Sequence, residues 1–158
     1  MSLKAQEEAL LHRDQAERSH RNSHRVVFQG IEGSYSQMAA RKYFSTRADE
    51  MEFVGQRSFA EALKLTEAGE AGYAFLPIEN TTAGSINQTY DLLRQTDLRI
   101  VGEEILHVRH CLLGLEGARV EDLRRVLSHP QALTQCSRYL ASLEGIEQVA
   151  FEDTAASA

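Results

Sequence analysis

Two cysteines are all this sequence contains, Cys111 and Cys136, and they form no Cys-x-x-Cys pair. A disulfide framework or a zinc site is therefore disfavoured. Both sit among apolar neighbours and read as buried free thiols. No apolar run approaches the ~18 residues of a membrane span. The N-terminus is polar and charged, unlike the apolar stretch of an export leader. These traits point to a reducing, cytoplasmic compartment with no membrane partner. Excess positive charge is also missing. Lys and Arg number 17 against 23 Asp and Glu, a formal charge of -6. That argues against a nucleic-acid or anionic-membrane binder. It leaves room for a small anion in a cleft of its own local sign. No internal repeat and no low-complexity tract is present.

What is present has the make-up of an ordinary soluble domain, with 42% hydrophobic and 25% charged residues. Residues 1–24 are charged, have almost no apolar stripe, and read as a polar tail, a linker or a surface helix. Order is expected from Arg25. Val26–Phe28 is a short buried strand, followed by a helix through Tyr43 with Ala39, Ala40 and Tyr43 on one face. Glu52–Gly55 is a second strand. Ser58 with Glu61 makes a capping box for a helix whose inward stripe is Phe59, Ala62, Leu63 and Thr66, stopped at Gly69. Tyr73–Ile78 reads as a third strand. Ser85 is the expected cap of the next helix, with Ile86, Tyr90 and Leu93 along one face. Leu98–Leu115 reads as a long β segment. A short strand before His129 leads to a helix opened by Pro130, striped by Leu133, Cys136 and Leu140. Glu147–Glu152 is the last strand, and Asp153–Ala158 the first turn of a further helix. Strands alternating with helices predict an α/β fold with largely parallel sheets. A one-turn helix is not stable alone, so the chain is expected to be a fragment of a longer protein.

Four junctions carry polar groups where a strand ends and a helix begins. In "GIEGSYS", Gly30 and Gly33 flank a tight connection, and Ser34 and Ser36 open a helix whose orphan N–H groups suit an anion. The Gly-Lys-Ser/Thr ending of a Walker loop is missing, and ordinary turn and cap roles explain the same residues. In "LPIENTTAGS", Pro77 ends ladder pairing. Glu79, Asn80, Thr81 and Thr82 then leave the carboxyl end of a strand, where open α/β sheets bind ligands. A polar loop with a cap is the plainer alternative. In "SHPQALTQC", Ser128 and His129 precede a helix, and Gln131 and Gln135 share a face away from the apolar stripe. His129 is read as a general base or, preferably, as a helix cap, since no acid or nucleophile lies nearby. Asp153 and Thr154 repeat the pattern. His107 and His110, three apart in the β reading, would face opposite sides and share no metal. No metal site is expected.

These four motifs, in this order and at these intervals, resemble the catalytic domain of the prephenate dehydratase family from about Arg25 onward. The resemblance implies two α/β lobes like a type II periplasmic binding protein, the first over about 25–80 and the second over about 81–158, with the active site between them. It implies conversion of prephenate to phenylpyruvate, water and carbon dioxide in L-phenylalanine biosynthesis, with no cofactor. Arogenate dehydratase and a non-catalytic small-anion-binding module of the same fold are the alternatives. By motif position Glu79, Asn80, Ser128 and Gln135 would be catalytic. Gly33, Ser34, Ser36, Thr81, His129, Gln131 and Thr154 would contact substrate. Glu79, with a pKa raised by burial, and Ser128 are reserve proton donors. The family's Thr-Arg-Phe motif does not occur in these 158 residues. The second lobe and the return to the first are therefore expected to be incomplete, and the fragment alone inactive. The resemblance further implies a parent protein with an ACT domain that takes L-phenylalanine as effector, assembled as a homodimer or larger.

Overall fold

The structure, a computed structural model, describes residues 22–82, 84–151 and 154–157. The reading of the polar tail falls mainly on residues outside that range. The described part of it is already anchored, with the Asn22 amide donating to the Gly69 carbonyl at 2.7 Å.

Strands β1 (Arg25–Gln29), β2 (Glu52–Gln56) and β3 (Tyr73–Phe75) form one parallel sheet in the order β2-β1-β3. A central strand covered on both faces needs apolar side chains on both, because successive residues point to opposite sides. Val26 and Val27 meet that need. Val26 packs with Ala40, Phe44 and Met51 beneath helix α1 (Tyr35–Tyr43), with Phe53, Tyr73 and Phe75 around them. Val27 faces the other way, onto Ala62 of helix α2 (Phe59–Glu67) and Ala71, flanked by Val54, Leu65, Ala74 and Leu76. Ser58 caps α2 as expected, accepting from the Glu61 N–H at 3.2 Å. The Glu61 carboxylate returns a bond to the N–H of Arg57, one residue before the cap, rather than to the cap itself.

β3 ends at Phe75, three residues before the predicted limit at Ile78. Beyond Pro77 comes a two-residue antiparallel ladder that periodicity did not foresee, β4 (Glu79–Asn80) with β5 (Gly84–Ser85). Ser85 is held in this ladder opposite Glu79 and does not cap helix α3 (Asn87–Leu93), which follows Ile86 without a side-chain cap. The inward face of α3 is also set differently. Tyr90 is exposed, and the buried member is Thr89, whose hydroxyl donates to the Pro77 carbonyl at 2.8 Å.

The largest departure is Leu98–Leu115, which forms no strand. The segment is a strap along α1. Gly102 lies against the Tyr43 ring, Lys42 Nζ reaches the Glu104 carboxylate at 2.7 Å and the Ile105 carbonyl at 2.8 Å, and the Tyr35 hydroxyl lies 3.2 Å from His110 Nδ1. Its partners are helix side chains, so its backbone has no ladder to join. Many apolar side chains stay in the open, including Ile100, Val101, Ile105 and Leu113. Cys111 rides on this strap and is exposed, while Cys136 is half-buried, so the expectation of two buried thiols fails.

The strap leads to a second parallel pair, β6 (Arg125–Ser128) with β7 (Glu147–Ala150). Between them lie two short helices, α4 (Pro130–Gln135) and α5 (Ser137–Leu140), where one was expected. The break falls at Cys136. Ala132 and Leu140 are the buried anchors, with Leu133 and Cys136 only half-buried.

Candidate active site

Each of the four polar junctions sits at the carboxyl end of a parallel strand. β1 runs into Gly33 and Ser34, β3 into Pro77, β6 into His129, and β7 toward Thr154. Parallel strands deliver their carboxyl ends to one edge of a sheet, which is why such edges collect ligand groups.

The first junction is built around Gly33, whose φ of +81° favours glycine. Its N–H donates to the side-chain oxygen of buried Gln37 at 2.7 Å. Ser34 is buried and caps α1 by accepting from the Gln37 N–H. Its hydroxyl serves the helix. The amides of Tyr35 and Ser36 remain as the orphan donors that every helix start has.

Three other segments meet this junction. A β-carbon built on Gly33 would lie 3.7 Å from the Ala155 methyl, so the Thr154–Ser157 turn lies against it. Within that turn the Ser157 hydroxyl donates to the Thr154 carbonyl at 2.9 Å. The strap contributes His110, with its Nδ1 toward Tyr35 and its Nε2 2.7 Å from the Gln135 side-chain oxygen. Gln135, at the end of α4, is the third. It also borders an open recess lined by Cys136, Arg138, Tyr139 and Ser142.

The remaining predicted residues are placed less centrally. Asn80 lies in β4, in the chain just past the end of β3, and its side-chain oxygen accepts from the Thr82 N–H at 2.9 Å. Glu79 and Thr81 are exposed, so the burial that a donor role for Glu79 called for is missing. Ser36 is half-buried. Ser128 is half-buried, and its carbonyl accepts from the Phe151 N–H at 2.9 Å, closing the end of the second sheet. His129 is exposed and caps α4, its Nδ1 accepting from the Gln131 N–H at 3.2 Å. That is the role favoured for it from sequence. Gln131 is exposed. Asp153 lies outside the described residues.

Three residues escaped sequence reasoning. Tyr35 and His110 meet across 75 residues of chain, and His110 and Gln135 across 25. Thr89 fixes the loop after β3 through Pro77. No periodicity marks such pairs. Burial pushes the Tyr35 phenol above its ordinary value, and the thiols of Cys111 and Cys136 add to the effect. The phenol therefore keeps its proton. Tyr35, His110 and Gln135 are hydrogen-bonding groups of a kind that can hold an anion. Among the described residues, no cluster of three His, Cys, Asp or Glu side chains is placed to hold a metal ion.

Residues 26–158 match the family model for prephenate dehydratase. The chain is 48% identical over 134 residues to the chloroplastic arogenate dehydratase/prephenate dehydratase 2 of Arabidopsis thaliana, covering 85% of this chain and 34% of that protein. It is similar to a solved structure described as GqqA, a novel type of quorum quenching acylase, at 34% identity and a TM-score of 0.71, covering 84% and 46% of the two chains. It is also similar to the prephenate dehydratase of Arthrobacter aurescens solved in complex with L-Phe, at 25% identity and a TM-score of 0.64, covering 85% and 44%. The chain spans about a third of the length of the curated relatives it matches. Its mixed α/β architecture is that of the prephenate dehydratase domain, which is periplasmic-binding-protein-like.

Proposed function

We propose, from the premise that the chain belongs to the prephenate dehydratase family, that it supplies most of the substrate cleft of a protein converting prephenate to phenylpyruvate. The observation that carries this reading is the meeting of Gly33, Gln135 and the Thr154–Ser157 turn around Tyr35 and His110. In the reaction the bond from the ring to its carboxylate breaks, and its electron pair aromatises the ring. The ring hydroxyl departs with one added proton, so carbon dioxide and water leave together. The side-chain carboxylate of prephenate is untouched and serves as a handle.

The chain's residues suit the holding part of this task. Helix-start amides at Tyr35 and Ser36 and the Gln135 carboxamide offer neutral donors to carboxylates. Asn80 and Ser128, with Thr81, Gln131 and Thr154 near the same strand ends, complete the proposed contacts. Glu79 is exposed at that edge, the Ser34 hydroxyl and the His129 ring cap the helices that start there, and Gly33 shapes the turn. A positioned proton donor is worth about 10²–10⁴-fold. The family resemblance assigns that donor to the threonine of a Thr-Arg-Phe motif.

For the whole protein we place the two lobes at about 25–80 and 81–158 and assign a step of L-phenylalanine biosynthesis in the cytoplasm. The L-Phe bound in the Arthrobacter aurescens relative supports L-phenylalanine as effector. A homodimer or larger assembly is part of the same proposal. The test is turnover of prephenate and of arogenate, side by side, by the full-length protein. Release of phenylpyruvate from prephenate supports the reading. Conversion of arogenate alone reassigns the substrate, and conversion of neither overturns it.

A further inference from the structure

We infer that His110 is a positioning residue that sets which end of the Gln135 carboxamide faces the substrate. This rests on the reading above, in which Gln135 holds a substrate carboxylate.

The direction of each hydrogen bond follows from which atoms can carry a proton. His110 Nε2 lies 2.7 Å from the Gln135 side-chain oxygen. A carboxamide oxygen has no hydrogen to give, so Nε2 carries the proton and donates. In a neutral imidazole Nδ1 is then the acceptor, and the Tyr35 hydroxyl, 3.2 Å away, donates to it. Burial raises the Tyr35 pKa, which keeps that donor protonated. The three groups therefore form a one-way chain, from phenol to imidazole to carboxamide. Its last member turns its oxygen toward His110 and leaves the NH2 group for other partners.

That orientation matters for an anionic ligand. An NH2 donates to a carboxylate, whereas an amide turned over would oppose it with an oxygen. Turning Gln135 over would also require His110 to exchange tautomers and Tyr35 to lose its acceptor. The relay is anchored at both ends. Tyr35 sits in the first turn of α1, behind the Ser34 cap. The strap bearing His110 is pinned five residues earlier, where Lys42 grips the Ile105 carbonyl.

The experiment uses the full-length protein. Long-range proton–nitrogen correlation of the histidine rings at neutral pH is expected to show His110 protonated at Nε2 and bare at Nδ1. His110→Leu is expected to raise KM for prephenate about 10–100-fold with a smaller change in kcat, because the carboxylate is held in ground and transition states alike. His110→Gln places an N–H2 close to where Nε2–H stood and is expected to recover most of that loss. Tyr35→Phe removes the donor to Nδ1. It is expected to raise KM several-fold and to mix the two tautomers, and it tests the relay even if the leucine variant does not fold. A wild-type protein protonated at Nδ1 overturns the positioning role alone. So does His110→Gln as impaired as His110→Leu, or a Tyr35→Phe variant with unchanged tautomer and KM. Wild-type protein that neither binds nor converts prephenate overturns the dehydratase reading, and this inference with it.

Discussion

The two parallel sheets are built from similar strands but differ in what covers them. In the first, β1 is flanked by a strand on each side and a helix on each face. Val26, Val27 and Phe28 are at most 1% exposed. In the second, β6 and β7 pair only with each other among the described residues, and Leu127 remains 43% exposed. Among the described residues, all the buried hydrophobic ones except Ala132 and Leu140 lie between Val26 and Ala71. Parallel strands are normally covered on both faces. Burial on that scale is what offsets the entropy of ordering the chain. The first sheet is thus the rigid wall of the candidate site, and the second presents Gln135 from a thinner support.

The contrast is broken most directly by core truncation. Phe28→Ala should cost ~3–5 kcal/mol, as deletion of a fully buried phenyl ring does. Leu127→Ala should cost less than about 1 kcal/mol, because little area is removed from water. Denaturant midpoints of the full-length protein measure both, and equal losses would erase the distinction. Thr89→Val should cost about 1–3 kcal/mol by leaving the Pro77 carbonyl unpaired. Amide exchange should rise along Ile78–Asn80 in that variant while β1 stays protected, which separates the loop from the wall that supports it.

Helix caps sharpen the comparison at a smaller scale. Ser58→Ala should lose about 1 kcal/mol, whereas Ser85→Ala, which caps nothing, should lose only a few tenths. The smallest effect concerns acid. The hydrogen bond from Lys42 holds the Glu104 carboxyl below its ordinary value of 4.5. The folded state therefore binds this proton less readily than the unfolded state. Its contribution is complete above the ordinary value and is lost as pH falls through the lowered one. Amide exchange near Ile105 should rise in that acid window, and replacing Glu104 with Gln should flatten the response.

Legibility from sequence followed the same divide. Val26–Phe28, Ser58 with Glu61, and Gly69 were readable because each expresses a local rule: a doubly buried strand, a cap, a left-handed stop. Leu98–Leu115 misled because an apolar β-branched run has the same appearance whether it meets a strand or a helix. Ser85 misled because its ladder with Glu79 competes with the cap, and local pattern cannot rank the two. At the site, the polar residues at strand ends were named from topology. Tyr35 and His110 were not, since nothing within a window of one turn links them.

From the sequence alone came the alternation of strands and helices, the polar junctions at strand ends and the family they resemble. These depend on residues close together along the chain, where backbone geometry dictates which side chains share a face. Only the tertiary structure decided that the strap lies on α1 and that His110 joins Tyr35 to Gln135. Contacts across 75 and 25 residues are settled by how packed elements fit together, and no local pattern encodes them.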